Sequence, residues 1–254
     1  MGRSVQSLER GLVVLEALVK NGASGVTDLA KELALDKTIV HRLLRTLQGM
    51  GYVTQDANRK YTVGSKLRQI GAKAIISLDL RAAASPFMHQ LAEHTKGVAH
   101  LAKMAESRAI YIDRVQYPGL TLASTDVGGV APGYCSAAGK VLWAYLPPLE
   151  LNELLEITEF RAHTSHTITD RDTLLRHLAQ IREQGIAIDM EEHRFGLIGV
   201  GAPVLDYNGN VIASICIGQV ATRTDEQRIA ETVELVLDVG RRLSYEMGYL
   251  NGDL

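Results

Sequence analysis

The stretch DKTIVHRLLRTLQGM, residues 36–50, decides how this chain is read. At about 100° per residue, Ile39, Val40, Leu43, Leu44, Leu47 and Met50 fall on one side of a helix, and Thr38, His41, Arg42 and Arg45 project from the other. One face belongs to a core and the other is basic. Asp36 is placed to accept backbone N–H bonds of the first turn, and Gly49 and Gly51 offer the backbone freedom that ends a helix. A basic amphipathic helix of this length is expected to read DNA, with Lys37, Thr38, His41, Arg42 and Arg45 as the contacting residues.

The segments on either side suit that reading. Upstream, Ser4 to Lys20 carries Leu8, Leu12, Leu15 and Val19 at helical spacing, and Asn21-Gly22 stops it. Thr27 is placed to cap a short helix from Asp28 to Leu33, and Ala34-Leu35 is the turn into the basic helix. Two helices joined by so short a turn match a helix-turn-helix. Downstream, 51–55 and 59–63 read as strands about the turn Asp56-Ala57-Asn58, a hairpin that makes the wing of a winged helix. Arg59 and Lys60 sit toward its tip, within reach of a phosphate or the minor groove. Ser65 to Leu80, with Leu67, Ile70, Ala74 and Leu78 at helical spacing, reads as a linker helix.

Charge divides the chain along the same line. Residues 1–78 hold 12 Lys+Arg and 6 Asp+Glu, a net of +6, whereas the remainder holds 15 and 23, a net of −8. The first part suits a polyanion and the second does not. With 254 residues and 46% apolar content, the chain is long enough for two cores, and its composition is that of a globular protein. No apolar run reaches the roughly 18 to 20 residues of a membrane span, and the start Met1-Gly2-Arg3-Ser4 lacks the apolar core of a secretory signal, so a cytoplasmic location is expected. Cys135 and Cys216 make no disulfide framework and have no metal-ligand spacing with His100 or His193; core or pocket-lining thiols are expected. His163, His166 and His177 are expected to be solvated. No phosphate-binding loop, dinucleotide glycine motif or nucleophile elbow is present, and no cofactor is expected.

The second half alternates helical and strand patterns. Helices are expected at 86–94, 137–145, 151–157, 172–184 and 225–247, and strands at 98–104, 109–115, 186–190, 200–205 and 211–217. Glu106-Ser107 is a polar turn, 128–134 a loop, and Asn208-Gly209 a hairpin turn, because both residues tolerate positive φ. The pattern is α+β with a largely antiparallel sheet. Ser136 can cap the helix that begins at Ala137, whose first N–H groups, those of Ala137 and Ala138, either receive an anionic ligand or are satisfied internally.

The ordered series SVQSLERGLVVLEAL, VTDLAKELALDKTIVHRLLRTLQGMGYV, LDLRAAASPFMHQLAEHTKGVAHLA, IYIDRVQ, APGYCSAAGKVLWAYLP, GIAIDMEEHRFG and GAPVLDYNGNVIASI closely resembles the IclR (isocitrate lyase regulator) family of bacterial transcription factors over nearly the whole chain. The resemblance implies a winged helix-turn-helix over 1–64, a linker helix over 65–80 and a GAF-like α/β effector-binding domain over 81–254, acting on operator double-stranded DNA as a homodimer or homotetramer. It also implies a small-acid pocket lined by the helix start at Ala137 and Ala138, by Asp189, and by Gly199, Cys216 and Gly218, where the family commonly has cysteine, serine and serine. The departures at Gly199 and Gly218 predict an enlarged, less hydroxylated cavity, and hence an aromatic carboxylate effector such as a hydroxybenzoate, with Tyr134 or Asp189 holding a distal polar group. Filling of that space by Met190, Phe195, Leu197 or Ile198 is the competing expectation. A repressor of a catabolic operon follows from this reading. Two alternatives stand beside it: an enzyme that transforms the acid, with the N-terminal module as a tether, and a DNA-binding protein whose second domain only oligomerises.

Overall fold

The computed structural model describes residues 5–76, 79–105, 108–120 and 126–250. The chain divides into two compact units, one within Met1–Leu78 and one over Asp79–Tyr249. The side chains of Lys73 and Ala74, all of Leu78, and the expected turn at Glu106 and Ser107 lie outside the described residues.

In the first unit α1 (Gln6–Asn21), α2 (Val26–Glu32) and α3 (Lys37–Gly49) pack around Val14, Leu15, Leu18, Leu29, Val40 and Leu44. The hairpin β1 (Val53–Gln55) and β2 (Tyr61–Val63) closes the core with Val53 and Tyr61. Ser24, in the loop after α1, forms a bridge with Tyr61 that ties the hairpin to the helices. Three local expectations are corrected. The buried side of α1 is Val14, Leu15, Ala17 and Leu18, so Leu8, Leu12 and Val19 are exposed; the buried residues lie in the C-terminal half of the helix. Thr27 lies inside α2, which begins at Val26 with Gly25 as its cap and no side-chain bond. Met50 ends α3 and is exposed.

The expected linker helix does not run continuously to Leu80. α4 spans Ser65–Ile76, and Leu80 opens a separate helix, α5 (Leu80–Thr95), because the Asp79 carboxylate accepts the Arg81 and Ala82 amides and makes a new N-cap. Pro86 lies within α5 rather than starting it.

The second unit holds a six-stranded sheet in the order β5-β4-β3-β8-β7-β6, each neighbouring pair antiparallel. Its strands are β3 (Val98–Ala105), β4 (Arg108–Gln116), β5 (Val130–Ala131), β6 (Ala187–Met190), β7 (Leu197–Leu205) and β8 (Val211–Val220). β5 falls in a stretch expected to be loop, and β7 and β8 extend three residues beyond their expected ends, at the start of β7 and the end of β8. The β7–β8 turn follows expectation: Gly209 has φ +80°, and Asp206 accepts the Asn208 and Asn210 amides. On one face of the sheet, α5 and α9 (Glu226–Glu246) bury Met88, Leu91, Val236, Val239 and Leu243 against Ala99, Leu101, Val200, Ile215 and Ile217. On the other face lies α6 (Ala137–Ala144), every residue of it buried, with α7 (Pro148–Ile157) and α8 (Arg171–Gln184) outside it. The sheet on one side and α7 and α8 on the other thus bury α6.

Candidate functional site

The first candidate surface is α3. The Asp36 carboxylate accepts the Thr38 amide at 2.7 Å, so the expected N-cap is present, and this bond holds the Asp36 carboxyl below the usual carboxylate range. Val40 and Leu44 anchor the helix in the core, which leaves Lys37, Thr38, His41, Arg42 and Arg45 exposed. Thr46 returns its hydroxyl to the Arg42 carbonyl. In the wing, Asp56 accepts the Asn58 and Lys60 amides, and Arg59 is held at φ +60°. A non-glycine residue in that region costs about 1–2 kcal/mol, so the turn holds Arg59 in a fixed conformation; Arg59 and Lys60 are both exposed.

The second candidate is a cavity of about 70 Å³ between the start of α6 and the sheet. Period-two alternation explains its floor. Asp189 pairs with Gly199, Gly199 with Gly218, and Gly218 with Val98, in one rung across β6, β7, β8 and β3; Gly201, Cys216 and His100 make the rung two residues along on the same face. The expected Ala137, Ala138, Asp189, Gly199, Cys216 and Gly218 all line this cavity. His100, Tyr111, Ser136, His193 and Arg194 line it too, and no local sequence pattern assigns them to it.

Two glycines on this floor do different work. A Cβ at Gly199 would stand 3.2 Å from the Ala137 Cβ and 3.3 Å from the Asp189 Cβ, so the missing side chain lets α6 approach the sheet and does not enlarge the cavity. A Cβ at Gly218 would meet only the Val98 carbonyl at 3.8 Å, so this glycine does leave space. The expectation of space at both positions therefore holds at one. Leu197 and Ile198 line the cavity, whereas Met190 and Phe195 are exposed.

Tyr134 is not part of this cavity, which corrects its expected role. It is buried beside Phe160 and Trp143, and its hydroxyl meets the Arg161 carbonyl at 3.2 Å and His163 Nε2 at 3.0 Å. Of the histidines expected to be solvated, His163 and His166 are exposed, each with a ring hydrogen bond, to the Tyr134 hydroxyl and the Met190 carbonyl; His177 departs from the expectation, half-buried beside Lys140.

The Ser136 hydroxyl caps α6 at Gly139, so the internal cap does not use the Ala137 and Ala138 amides. Asp189 Oδ1 accepts the Glu192 and His193 amides, which shapes the β6–β7 turn. Burial nevertheless raises the Asp189 carboxyl to about 7, against the opposing pull of Lys140 and those amides. Burial lowers His193 to about 4, so its ring is neutral at pH 7, and pushes the Cys216 and Cys135 thiols up to about 12. Neither thiol is poised to react. Cys135 lies in the core and Cys216 in the cavity wall, as expected of both. Among the described residues, no group of three or more His, Cys, Asp or Glu is placed to hold a metal ion.

Behind the cavity wall, Lys140 on α6 is fully buried and donates to Glu192 Oε1 at 2.5 Å and to the Ile188 carbonyl at 2.7 Å, with His177 Nε2 at 3.3 Å. The signal for it was present in the sequence: one lysine inside the apolar run AAGKVLWAYL.

A family model described as "Bacterial transcriptional regulator IclR C-terminal" matches residues 72–245, and the "IclR helix-turn-helix domain" matches residues 7–57. The chain belongs to the IclR family. Among IclR relatives, it is 34% identical over 247 residues to the HTH-type transcriptional regulator XynR of Escherichia coli K12, covering 96% of this chain and 98% of XynR. It is 32% identical over 248 residues to the HTH-type transcriptional repressor AllR of the same organism, covering 97% and 92%. The solved structure of the Agobacterium tumefaciens repressor BlcR superposes with a TM-score of 0.88 at 22% identity, over 98% of this chain and 100% of that one. Both matched models describe a regulator and its DNA-binding module, so this IclR chain is a DNA-binding transcriptional regulator and not an enzyme. Among the described residues, no helix is long and apolar enough to cross a membrane.

Proposed function

We propose that this protein is a repressor whose hold on operator DNA is changed by a short-chain organic acid bound between α6 and the sheet. The observation that carries the reading is the cavity at the start of α6. Its small-residue floor brings two helix-terminal amides close to the sheet, with His100, Tyr111 and Arg194 as further polar walls. The acid's carboxylate would meet the Ala137 and Ala138 amides at the positive end of the helix. A volume of about 70 Å³ suits an acid of the size of glyoxylate or pyruvate. It is under half of the roughly 150 Å³ that holds a benzene ring in a rigid protein.

An aromatic carboxylate such as 4-hydroxybenzoate is the second reading, favoured by the open space beside Gly218. It requires the walls to part on binding. Calorimetric titration with glyoxylate, pyruvate and 4-hydroxybenzoate separates the two, and tighter binding of the aromatic acid overturns the first.

In the DNA complex Arg42 and Arg45 would face guanine edges or phosphates, Lys37, Thr38 and His41 would assist near the helix start, and Arg59 and Lys60 would hold the backbone from the wing. A homodimer or homotetramer supplies the paired readers that specific affinity needs. The exposed stripe Val5, Leu8 and Leu12 on α1 supports association of the first unit with a second copy. Domain limits of 1–64, 65–80 and 81–254 accompany this reading, with the cap at Asp79 starting α5 at Leu80. Coupling is reciprocal, so operator DNA changes acid affinity by the factor by which the acid changes DNA affinity. The test is a mobility shift on the DNA upstream of the chain's own gene, with and without each acid; acid-insensitive binding would leave the second unit as an oligomerisation module only.

A further inference from the structure

On the opposite face of the sheet from the α6 cavity, the second unit holds a larger cleft of about 480 Å³. This lies within the 300–1,000 Å³ range of small-molecule sites. The end of α5, the end of β8, the short 3₁₀ helix Ala221–Arg223 and the first turns of α9 enclose it. Alternation along β8 separates the two sites: Gly218 points to the α6 side, and the next residue, Gln219, to this one.

The cleft has a built floor and a charged rim. Gln219 and Thr232 are both buried, and the Thr232 hydroxyl donates to Gln219 Oε1 at 3.1 Å while Gln219 Nε2 donates to the Thr95 carbonyl at 3.4 Å. Lys96, Arg223 and Arg228 stand around this floor with His94, against one acid, Glu231. Arg228 Nη1 donates to the Arg223 carbonyl at 2.7 Å, which fixes the guanidinium on the 3₁₀ turn. None of the ion pairs among the described residues uses any of these cations. Three permanent positive charges around one cleft, with a hydrogen-bonding floor and one opposing carboxylate, repel each other until a counter-charge enters.

We propose that this cleft is a second ligand site for a compact, hydroxyl-bearing acid with two anionic ends, its charged ends meeting Lys96, Arg223 and Arg228 and its hydroxyl meeting the Gln219–Thr232 pair. The site is distinct from the α6 cavity and does not depend on the function assigned to it.

Calorimetry on the full chain with 3-phosphoglycerate and with tartrate tests the proposal and separates a phosphate-bearing from a dicarboxylate ligand. Saturable binding of either probe is expected, with Lys96→Gln/Arg228→Gln weakening it about tenfold or more. Pyruvate and 4-hydroxybenzoate titrations on the same two proteins report the α6 cavity separately, and an unchanged thermal melt shows that the exposed substitutions leave the fold intact. No saturable heat from either probe at concentrations up to about 1 mM, where ΔG° of binding is about −4 kcal/mol, overturns the proposal, as does binding that the double variant leaves unchanged. A shift in oligomeric state in the double variant without probe binding also overturns it, and marks the cleft as a contact between copies of this chain.

Discussion

Lys140 Nζ lies 2.5 Å from Glu192 Oε1, with the lysine fully buried and the glutamate nearly so. The pair joins the middle of α6 to the turn after β6, the same turn that Asp189 shapes through the Glu192 and His193 amides. The two sides of the α6 cavity, helix start and Asp189 turn, are therefore held in register by one buried ion pair. Thr164 and Thr167 add to the hold through hydroxyl bonds to the Glu191 and Glu192 carbonyls.

Removing one member of that pair leaves an uncompensated buried charge. Lys140→Met is expected to destabilise the second unit by about 3–5 kcal/mol, and Lys140→Met/Glu192→Leu to recover most of the loss. Trp143 is the single tryptophan, buried one turn along α6, so urea unfolding followed by its fluorescence reads this unit directly. A double variant no more stable than Lys140→Met would show that the pair is not the source of the effect.

Acid binding at the proposed site is expected to depend on pH through Asp189. Its carboxyl, raised to about 7 by burial, is protonated below neutrality and charged above it, next to the place where a carboxylate would sit. The folded state binds more protons than the unfolded one between about 4 and 7, so this group lowers stability as pH rises through that window and changes nothing further above it. Pyruvate affinity is expected to fall as pH rises past 7, by at most about tenfold per unit. His193, lowered to about 4, does not titrate there. Asp189→Asn should flatten the profile; the same slope in that variant would assign it to another group.

The two glycines of the floor should respond in opposite ways. Gly199→Ala places a methyl against Ala137 and Asp189 and is expected to cost about 1–3 kcal/mol of stability. Gly218→Ala has room and should change stability by about 0.5 kcal/mol or less. Thermal melts compare the two, and Gly218→Ala should in addition weaken 4-hydroxybenzoate more than pyruvate if the aromatic reading holds.

On the DNA side, Arg45→Ala is expected to lose about 1–3 kcal/mol of specific binding with little change in non-specific binding. Lys60→Ala should weaken both alike and reduce the salt slope by about 1. Anisotropy titrations at several salt concentrations on operator and scrambled DNA check both. Equal losses for the two substitutions would make α3 an anchor rather than a reader.

Local chemistry made much of this legible from residues alone. The cap at Asp36, the buried Val40 and Leu44, the exposed basic side of α3, the Asn208-Gly209 turn and the cap at Ser136 each depend on neighbours within a few positions, where periodicity and hydrogen-bonding capacity decide the outcome. The order of elements in the second unit followed for the same reason. What misled was local pattern without knowledge of what covers it: Leu8 and Leu12 have helical spacing as good as Leu15, but both are exposed in the folded unit and only Leu15 joins the core.

The sequence by itself determined a basic amphipathic helix in a positively charged N-terminal part, followed by an acidic α+β unit; six of the seven residues that the family resemblance proposed for the acid line one cavity. Only the tertiary structure decided the rest. It set the rung that aligns Asp189, Gly199 and Gly218, the closeness of Ala137 that makes Gly199 a packing residue, the displacement of Tyr134 into a separate core, and the pairing of Lys140 with Glu192 across 52 positions. Strand register and burial are set by contacts between segments far apart in the chain, and no spacing within one segment encodes them.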